Sequence, residues 1–126
     1  MKTQKQNAMI YCRADLNENT SEILNALNQE NEVLNFCKHE GFNVVEKFID
    51  YTTPHNKSQP ELQRMKDFAI QSEITIDVVV CWGFDRISRD IKELLDIVFD
   101  FNQMSIDVIS VEQIINLKNK TNEQNK

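Results

Sequence analysis

Residues 76–82 read Ile-Asp-Val-Val-Val-Cys-Trp, the most strand-like run in the chain and nearly continuous in its apolarity. A strand of that kind is buried on both faces, as the central strands of a parallel sheet are. Three further segments have strand character: residues 8–12 (AMIYC), 43–49 (NVVEKFI) and 106–111. Helix-length segments separate them. In the first, Ile23, Leu27, Leu34 and Cys37 recur at helical spacing, aided by Ala26 and Val33. Thr20 or Ser21 is placed to cap that helix, with Glu22 in its first turn, and Gly41 to end it. Pro60 suits the first position of a second helix with Leu62, Met65, Phe68 and Ala69 on its apolar side. Ile91, Leu94, Leu95 and Val98 mark a third. The order β-α-β-α-β-α-β predicts an α/β fold, a mainly parallel sheet covered by helices on both faces.

At 126 residues the chain is one domain, and 40% hydrophobic with 27% charged residues makes it globular. Residues 1–7 are polar and expected to be disordered, residues 8–115 form the domain, and residues 116–126 form a polar tail without periodicity, expected to trail off disordered. Residues 51–59, with Pro54 and no apolar anchor, read as a surface loop. A net charge of -6 argues against wholesale polyanion binding but leaves room for a local basic cluster. With two glycines, Gly41 and Gly83, neither a G-x-G-x-x-G turn nor a Walker loop can be built. Cys12, Cys37 and Cys81, with His39 and His55, lack zinc-site spacing, so no metal and no cofactor are expected. The cysteines sit beside apolar residues, as thiols in a reducing compartment do. No apolar run is long enough for a membrane span, and a cytoplasmic location is the expectation.

Ligands of such sheets bind beyond the carboxyl ends of the strands. Three strand ends here carry acids or arginines: Arg13 with Asp15, Asp50, and Asp85 with Arg86 and Arg89. Read as acids alone, Asp15, Asp50 and Asp85 could converge on Mg²⁺ for phosphoryl transfer, or could merely form turns and cap helices. The arginines suggest otherwise, since three of the chain's four lie at this edge. Arg86 and Arg89 are three apart at the expected start of a helix, which sets both guanidinium groups on one face near a positive terminus. That cluster suits a phosphate diester without a metal. The alternative is that these arginines only pair with the neighbouring aspartates.

The same residues resemble the serine recombinases, the resolvase and invertase group. Tyr11-Cys12-Arg13-Ala14-Asp15 is similar to the family's Y-x-R-x-S opening, and Gln29 stands where its S-L-x-x-Q segment places glutamine. Residues 41–50 match the G-(x)n-F-x-D strand, and residues 59–63 resemble the R-P-x-L-x helix start. Residues 78–89, ending Asp85-Arg86-Ile87-Ser88-Arg89, are close to the strand-loop D-R-L-S-R signature, the most specific of these. The resemblance runs in order from Ala8 to Gln113. It implies a resolvase-like catalytic domain in which a serine attacks a DNA phosphodiester without a metal, a 5′-phosphoserine link forms, and a tetramer exchanges subunits. Carried over by position, Arg13, Arg86 and Arg89 are phosphate ligands, and Asp50 and Asp85 orient them or assist proton transfer.

Two departures alter what the resemblance implies. The nucleophile position holds Asp15, which has no attacking hydroxyl and puts a negative charge where a phosphate must dock. At about 4 Å and an effective dielectric near 20, that repulsion is on the order of 4 kcal/mol before the arginines cancel part of it. Gln59 stands where the family carries an arginine, keeping a donor but losing the charge. Among other hydroxyls and thiols, Ser88 does not match the family nucleophile, Thr20 and Ser21 read as caps, and Cys12 should point away from the face of Arg13. The reading that follows is a serine-recombinase-like domain of a mobile-element type protein, its phosphodiester-recognising edge kept and strand cleavage lost. DNA is its expected partner, with a homodimer or larger assembly as a second association. The alternatives are an active recombinase domain within a larger protein and a Mg²⁺-dependent carboxylate pocket.

Overall fold

The computed structural model describes residues 5–16 and 21–124. Among them, strands and helices alternate as β1 (Asn7–Asp15), α1 (Ser21–Glu40), β2 (Asn43–Thr52), α2 (Pro60–Gln71), β3 (Val78–Cys81), α3 (Ile91–Gln103), β4 (Asp107–Ser110) and α4 (Val111–Gln124). One 3₁₀ turn, Phe84–Arg86, follows β3. The strands pair in the order β2-β1-β3-β4, every pair parallel, as the apolar pattern predicts.

Successive side chains of a strand point to opposite faces, and β1 feeds two cores in this way. Met9 and Tyr11 pack with Phe48, Met65, Ile97 and Phe101 under α2 and α3. Ala8, Ile10 and Cys12 pack with Val33, Cys37 and Val111 under α1 and α4. The same alternation carries past the core, so Arg13 and Asp15 emerge on the α2–α3 side, where the site is built.

α1 ends as its glycine predicts. Gly41 takes φ +75°, its N–H donates to Lys38 O at 3.2 Å, and Phe42 N–H reaches Cys37 O at 2.9 Å. These are the paired bonds that satisfy the last carbonyls of a helix, and Phe42 closes the motif by packing its ring edge-on to Phe36 at 6.2 Å. Thr20, one of the two expected caps for α1, lies outside the described residues.

Three expectations are corrected. The strands β1 and β2 run past residues 12 and 49 to Asp15 and Thr52, because each pairs with the other to its end. Asn7 belongs to β1, held by Asp77 and Thr75 at 2.7 and 2.8 Å. The polar tail is not disordered through residue 124: it continues the helix α4 that starts at Val111. Ser110 Oγ accepts from Gln113 N–H at 3.4 Å and Trp82 O accepts Glu112 N–H at 2.8 Å, so the helix is capped and anchored to the sheet although few apolar side chains dock it.

A further point concerns α3, which buries Ile97 and Phe101 and packs Leu94 against them. The helix runs where Ile91, Leu94, Leu95 and Val98 marked it, but Ile91 and Leu95 are 73% and 62% exposed. The helix carries two apolar stripes, and only docking against β4 and the core beneath it decides between them.

Gly41→Ala should lower stability by about 1 kcal/mol, read as a shift in the denaturation midpoint. Nothing lies within 4 Å of a Cβ at this position, so a larger loss would mean that something other than backbone conformation is at stake.

Candidate functional site

The overhang of β1 and β2 sets the site. Pairing of β1 with β3 stops at Tyr11–Cys81, whereas β1 and β2 remain paired through Arg13–Asp50 and Asp15–Thr52. Residues 83–90 turn back into the space left beyond β3 and deliver Arg86 and Arg89 to the face of β1 that carries Arg13 and Asp15. These two arginines therefore sit on the 3₁₀ turn and the following loop, ahead of α3 and not on its first turn, which is capped by Asp90 through Glu93 N–H at 3.2 Å.

Asp15 is the meeting point. Its Oδ1 accepts from Arg13 Nε at 3.0 Å and from Thr52 Oγ1 at 2.6 Å. Its Oδ2 accepts from Arg89 at 2.8 Å and from Arg86 at 3.4 Å. The arginines grade outward: Arg13 has 8% of its side chain exposed, Arg86 25% and Arg89 67%. Partial burial raises the Asp15 carboxyl pKa, but the Thr52 hydroxyl and the Arg13 and Arg89 guanidinium groups outweigh it and hold the group below 3.8. A carboxylate accepting from three guanidinium groups presents two oxygens much as a phosphate does.

The adjoining cavity, about 590 Å³, is bounded by Arg13, Lys57 and Arg89 on the cationic side and by Asp15, Asp90 and Glu93 on the anionic side. Its charge is balanced while Asp15 is ionised.

Asp50 lies elsewhere. It is buried, and its two oxygens accept the backbone N–H groups of Glu61 and Leu62 at 2.9 Å each. It thereby caps α2 from a neighbouring strand, where Gln59 offers no side-chain cap. Tyr11 Oη donates to Asp50 at 2.8 Å, and Gln59 Nε2 donates to Tyr11 Oη at 2.7 Å. Burial, together with Asp50, pushes the Tyr11 hydroxyl pKa far up despite the Gln59 bond. Gln59 Nε2 also approaches the carbonyls of Ile87 and Arg86 at 3.1 and 3.3 Å, so it ties the arginine-bearing turn to the start of α2.

Asp85 is 53% exposed, 4.0 Å from Arg86 Nε, with its carboxylate against Gly83. The three aspartates thus serve three different sets of partners, and among the described residues no three metal-binding side chains group together. The convergence that a carboxylate-held Mg²⁺ requires is not present in this arrangement.

Thr52 and Tyr11 are parts of the site that the sequence reading did not assign. The signal for Thr52 was its spacing, two residues past Asp50 on the same strand face. Cys12 faces the opposite core, and burial pushes its thiol up to about 12. Ser88 Oγ accepts from Asp90 N–H at 3.1 Å, a local turn contact. Among the described residues, no helix is long and apolar enough to cross a membrane.

The family model "Resolvase, N terminal domain" matches residues 8–125. No curated protein matches the chain. Among solved structures, the chain is similar to the N-terminal catalytic domain of TP901-1 integrase, with TM-score 0.74, 24% identity, and 86% of this chain and 79% of that one covered. A resolvase family site-specific recombinase from Streptococcus pneumoniae gives TM-score 0.73 at 14% identity, covering 96% and 90%. The C-terminal catalytic domain of ISC1926 TnpA, an IS607-like serine recombinase, gives 0.69 at 23% identity, covering 84% and 70%.

Two variants separate these roles. Asp50→Ala should cost about 3 kcal/mol, because it orphans two helix N–H groups and a buried hydroxyl, whereas Asp85→Ala should stay within about 0.5 kcal/mol. Equal effects in urea titration would contradict the cap. For Asp15 the depressed carboxyl contributes stability above its ordinary pKa and loses it as pH falls through the lowered value. The gap between wild type and Asp15→Asn, on the order of 1 kcal/mol at a partly exposed site, should therefore close below about pH 4. A gap independent of pH would show that the ionised group is not what matters.

Proposed function

The chain belongs to the resolvase N-terminal domain family, and we propose that its strand-end edge is a DNA-phosphodiester seat which Asp15 now occupies in place of the attacking serine. In this reading Arg13, Arg86 and Arg89 are the phosphate ligands and Asp15 is a resident anion that takes the phosphate's place between them. Strand cleavage is lost. The protein is a disarmed recombinase domain of mobile-element type, retained for contact with DNA or with a larger recombinase assembly.

The observation that carries the reading is the convergence of three guanidinium groups on one carboxylate. Arginines that merely neutralised neighbouring acids would each take a separate partner, yet these come from two separate segments to one anion. Such a donor set is preorganised for an anion of tetrahedral or trigonal oxygen geometry and costs little to refill once the carboxylate is removed.

The chemistry at Asp15 also argues for loss of cleavage. Recombination needs a covalent intermediate that preserves the phosphodiester until religation. Attack by a carboxylate oxygen on phosphorus would expel the 3′ hydroxyl and leave an acyl phosphate diester, which water hydrolyses. The strand would stay broken. Ser88 lines the same cavity, but its hydroxyl is engaged with the Asp90 backbone, and Cys12 lies on the far face of β1, so neither offers a free nucleophile to the arginine cluster.

The test is fluorescence anisotropy of a labelled duplex titrated with wild type and Asp15→Ser at several salt concentrations. Removing the anion leaves the cavity net cationic, so the variant should bind DNA roughly tenfold more tightly than wild type, with a steeper salt dependence. Neither protein should form a covalent adduct with a nicked duplex, since Gln59 remains in place of an arginine. Equal affinities would mean that the arginines do not face DNA, and a wild-type adduct would overturn the loss of cleavage.

A further inference from the structure

The turn that carries Arg86 and Arg89 takes its shape from within. Arg86 N–H donates to Gly83 O at 3.0 Å, and the N–H groups of Ile87 and Ser88 both reach Phe84 O, at 3.0 and 3.2 Å. Those bonds fix its curvature but not its position against β1. Position comes from three ties. The Ile87 side chain is fully buried in the core. Arg86 and Arg89 pair with Asp15. The Gln59 amide reaches the carbonyls of Arg86 and Ile87. Apolar packing is non-directional and does not aim a backbone. The ion pairs are given up whenever a phosphate takes the place of the Asp15 carboxylate. The amide is the directional tie that such an exchange leaves intact.

Gln59 is oddly chosen for its place. It precedes α2 at the position where Ser, Thr, Asp or Asn caps a helix, yet its side chain makes no cap and Asp50 does that work. The carboxamide crosses to the turn instead. Of the two hydrogens on Nε2, one goes to Tyr11 Oη at 2.7 Å, and the other is shared between Ile87 O at 3.1 Å and Arg86 O at 3.3 Å. Tyr11 spends its own proton on Asp50 at 2.8 Å, so its oxygen must accept from Gln59. A flipped amide would set its oxygen against three acceptors. The orientation is therefore fixed from the Asp50 end.

We propose that Gln59, oriented by Tyr11, is the positioning residue that keeps Arg86 and Arg89 aimed at an anion other than Asp15. Gln59 borders the cavity, but its donors are spent inward, so it supports two phosphate ligands and is not a weakened one itself. The anion is the DNA phosphodiester proposed above, and in that respect the inference rests on that reading. The latch belongs to the unliganded chain.

The full chain carrying Asp15→Ser is compared with and without Gln59→Glu, by anisotropy of the labelled duplex and by the Nε–H NMR signals of its four arginines. Glutamate keeps the shape of glutamine but turns a carboxylate toward the Tyr11 oxygen and two carbonyls. At about pH 8, Gln59→Glu should weaken duplex binding roughly tenfold beside Asp15→Ser, and less than about threefold alone, where the ion pairs still hold the turn. The surrounding acceptors raise the pKa of the new carboxyl, which donates again once protonated, so the gap should narrow toward about pH 5.5. Tyr11→Phe should weaken binding in the same background without that pH dependence, and it carries the test if Gln59→Glu does not fold. A thermal melt gives the folded fraction, and affinity is read per folded molecule. Without DNA, the Arg86 and Arg89 signals should shift or broaden on Gln59→Glu, while that of Arg64, paired with Glu61 on α2, stays in place. Those signals judge the latch even if Asp15→Ser fails to tighten duplex binding, a result that counts against the phosphodiester reading alone. Unmoved Arg86 and Arg89 signals overturn the proposal. So does a Gln59→Glu variant that melts earlier but binds the duplex unchanged, since that would make Gln59 a support for α2 and nothing more.

Discussion

The unequal lengths of three neighbouring strands govern this molecule. β1 is hydrogen-bonded on both sides through Tyr11, and beyond that point only β2 accompanies it. The four-residue β3 ends early, and the chain leaving it must cross the exposed flank of the β1–β2 ribbon before α3 can begin. That crossing brings Arg86 and Arg89 against Arg13. Three cations so close would repel one another by several kcal/mol at moderate dielectric, and the Asp15 carboxylate is what makes the arrangement tolerable in the unliganded chain. Fold and site are one construction here: shortening the overhang would remove the cluster along with the ribbon.

Much of this was legible in the residues. The run through Val78, Val79 and Val80 required burial on both faces, and the helix-length segments around it required crossovers, which together fix a parallel sheet. The edge at which Arg13, Asp15, Arg86 and Arg89 meet followed from the same order. What was not legible has physical reasons. Leu94, Ile97 and Phe101 compete with Ile91, Leu95 and Phe99 for the core side of α3, and nothing local ranks the two stripes. α4 has too few buried apolar side chains for periodicity to reveal it, although Ser110 and Gln113 at capping-box spacing were a usable signal. Asp50 looked like a partner for arginine because it ends a strand beside Arg13. It turned instead to the open N–H groups of Glu61 and Leu62 at the start of α2, which have no side-chain cap of their own.

The division of labour among the aspartates has a simple electrostatic logic. Asp50 is enclosed and serves fixed backbone dipoles, so its geometry is rigid. Asp15 is partly exposed and serves long side chains, whose outermost member, Arg89, extends into water. A site that exchanges one anion for another needs the second kind of environment, and a fold that must hold its helices needs the first.

The loop between β2 and α2 offers a last consequence. At one end Thr52 is clamped to Asp15, and at the other Gln59 is clamped to Tyr11 and to the carbonyls of Arg86 and Ile87. The intervening segment, with Pro54, His55 and Lys57, is exposed and closed mainly by its own turn between Thr53 and Asn56. Mechanically it is a handle fastened at both ends to a rigid frame. It can lengthen or change composition without shifting the guanidinium geometry, which leaves it as a rim of the site free to vary in shape while the chemistry beneath it stays in register.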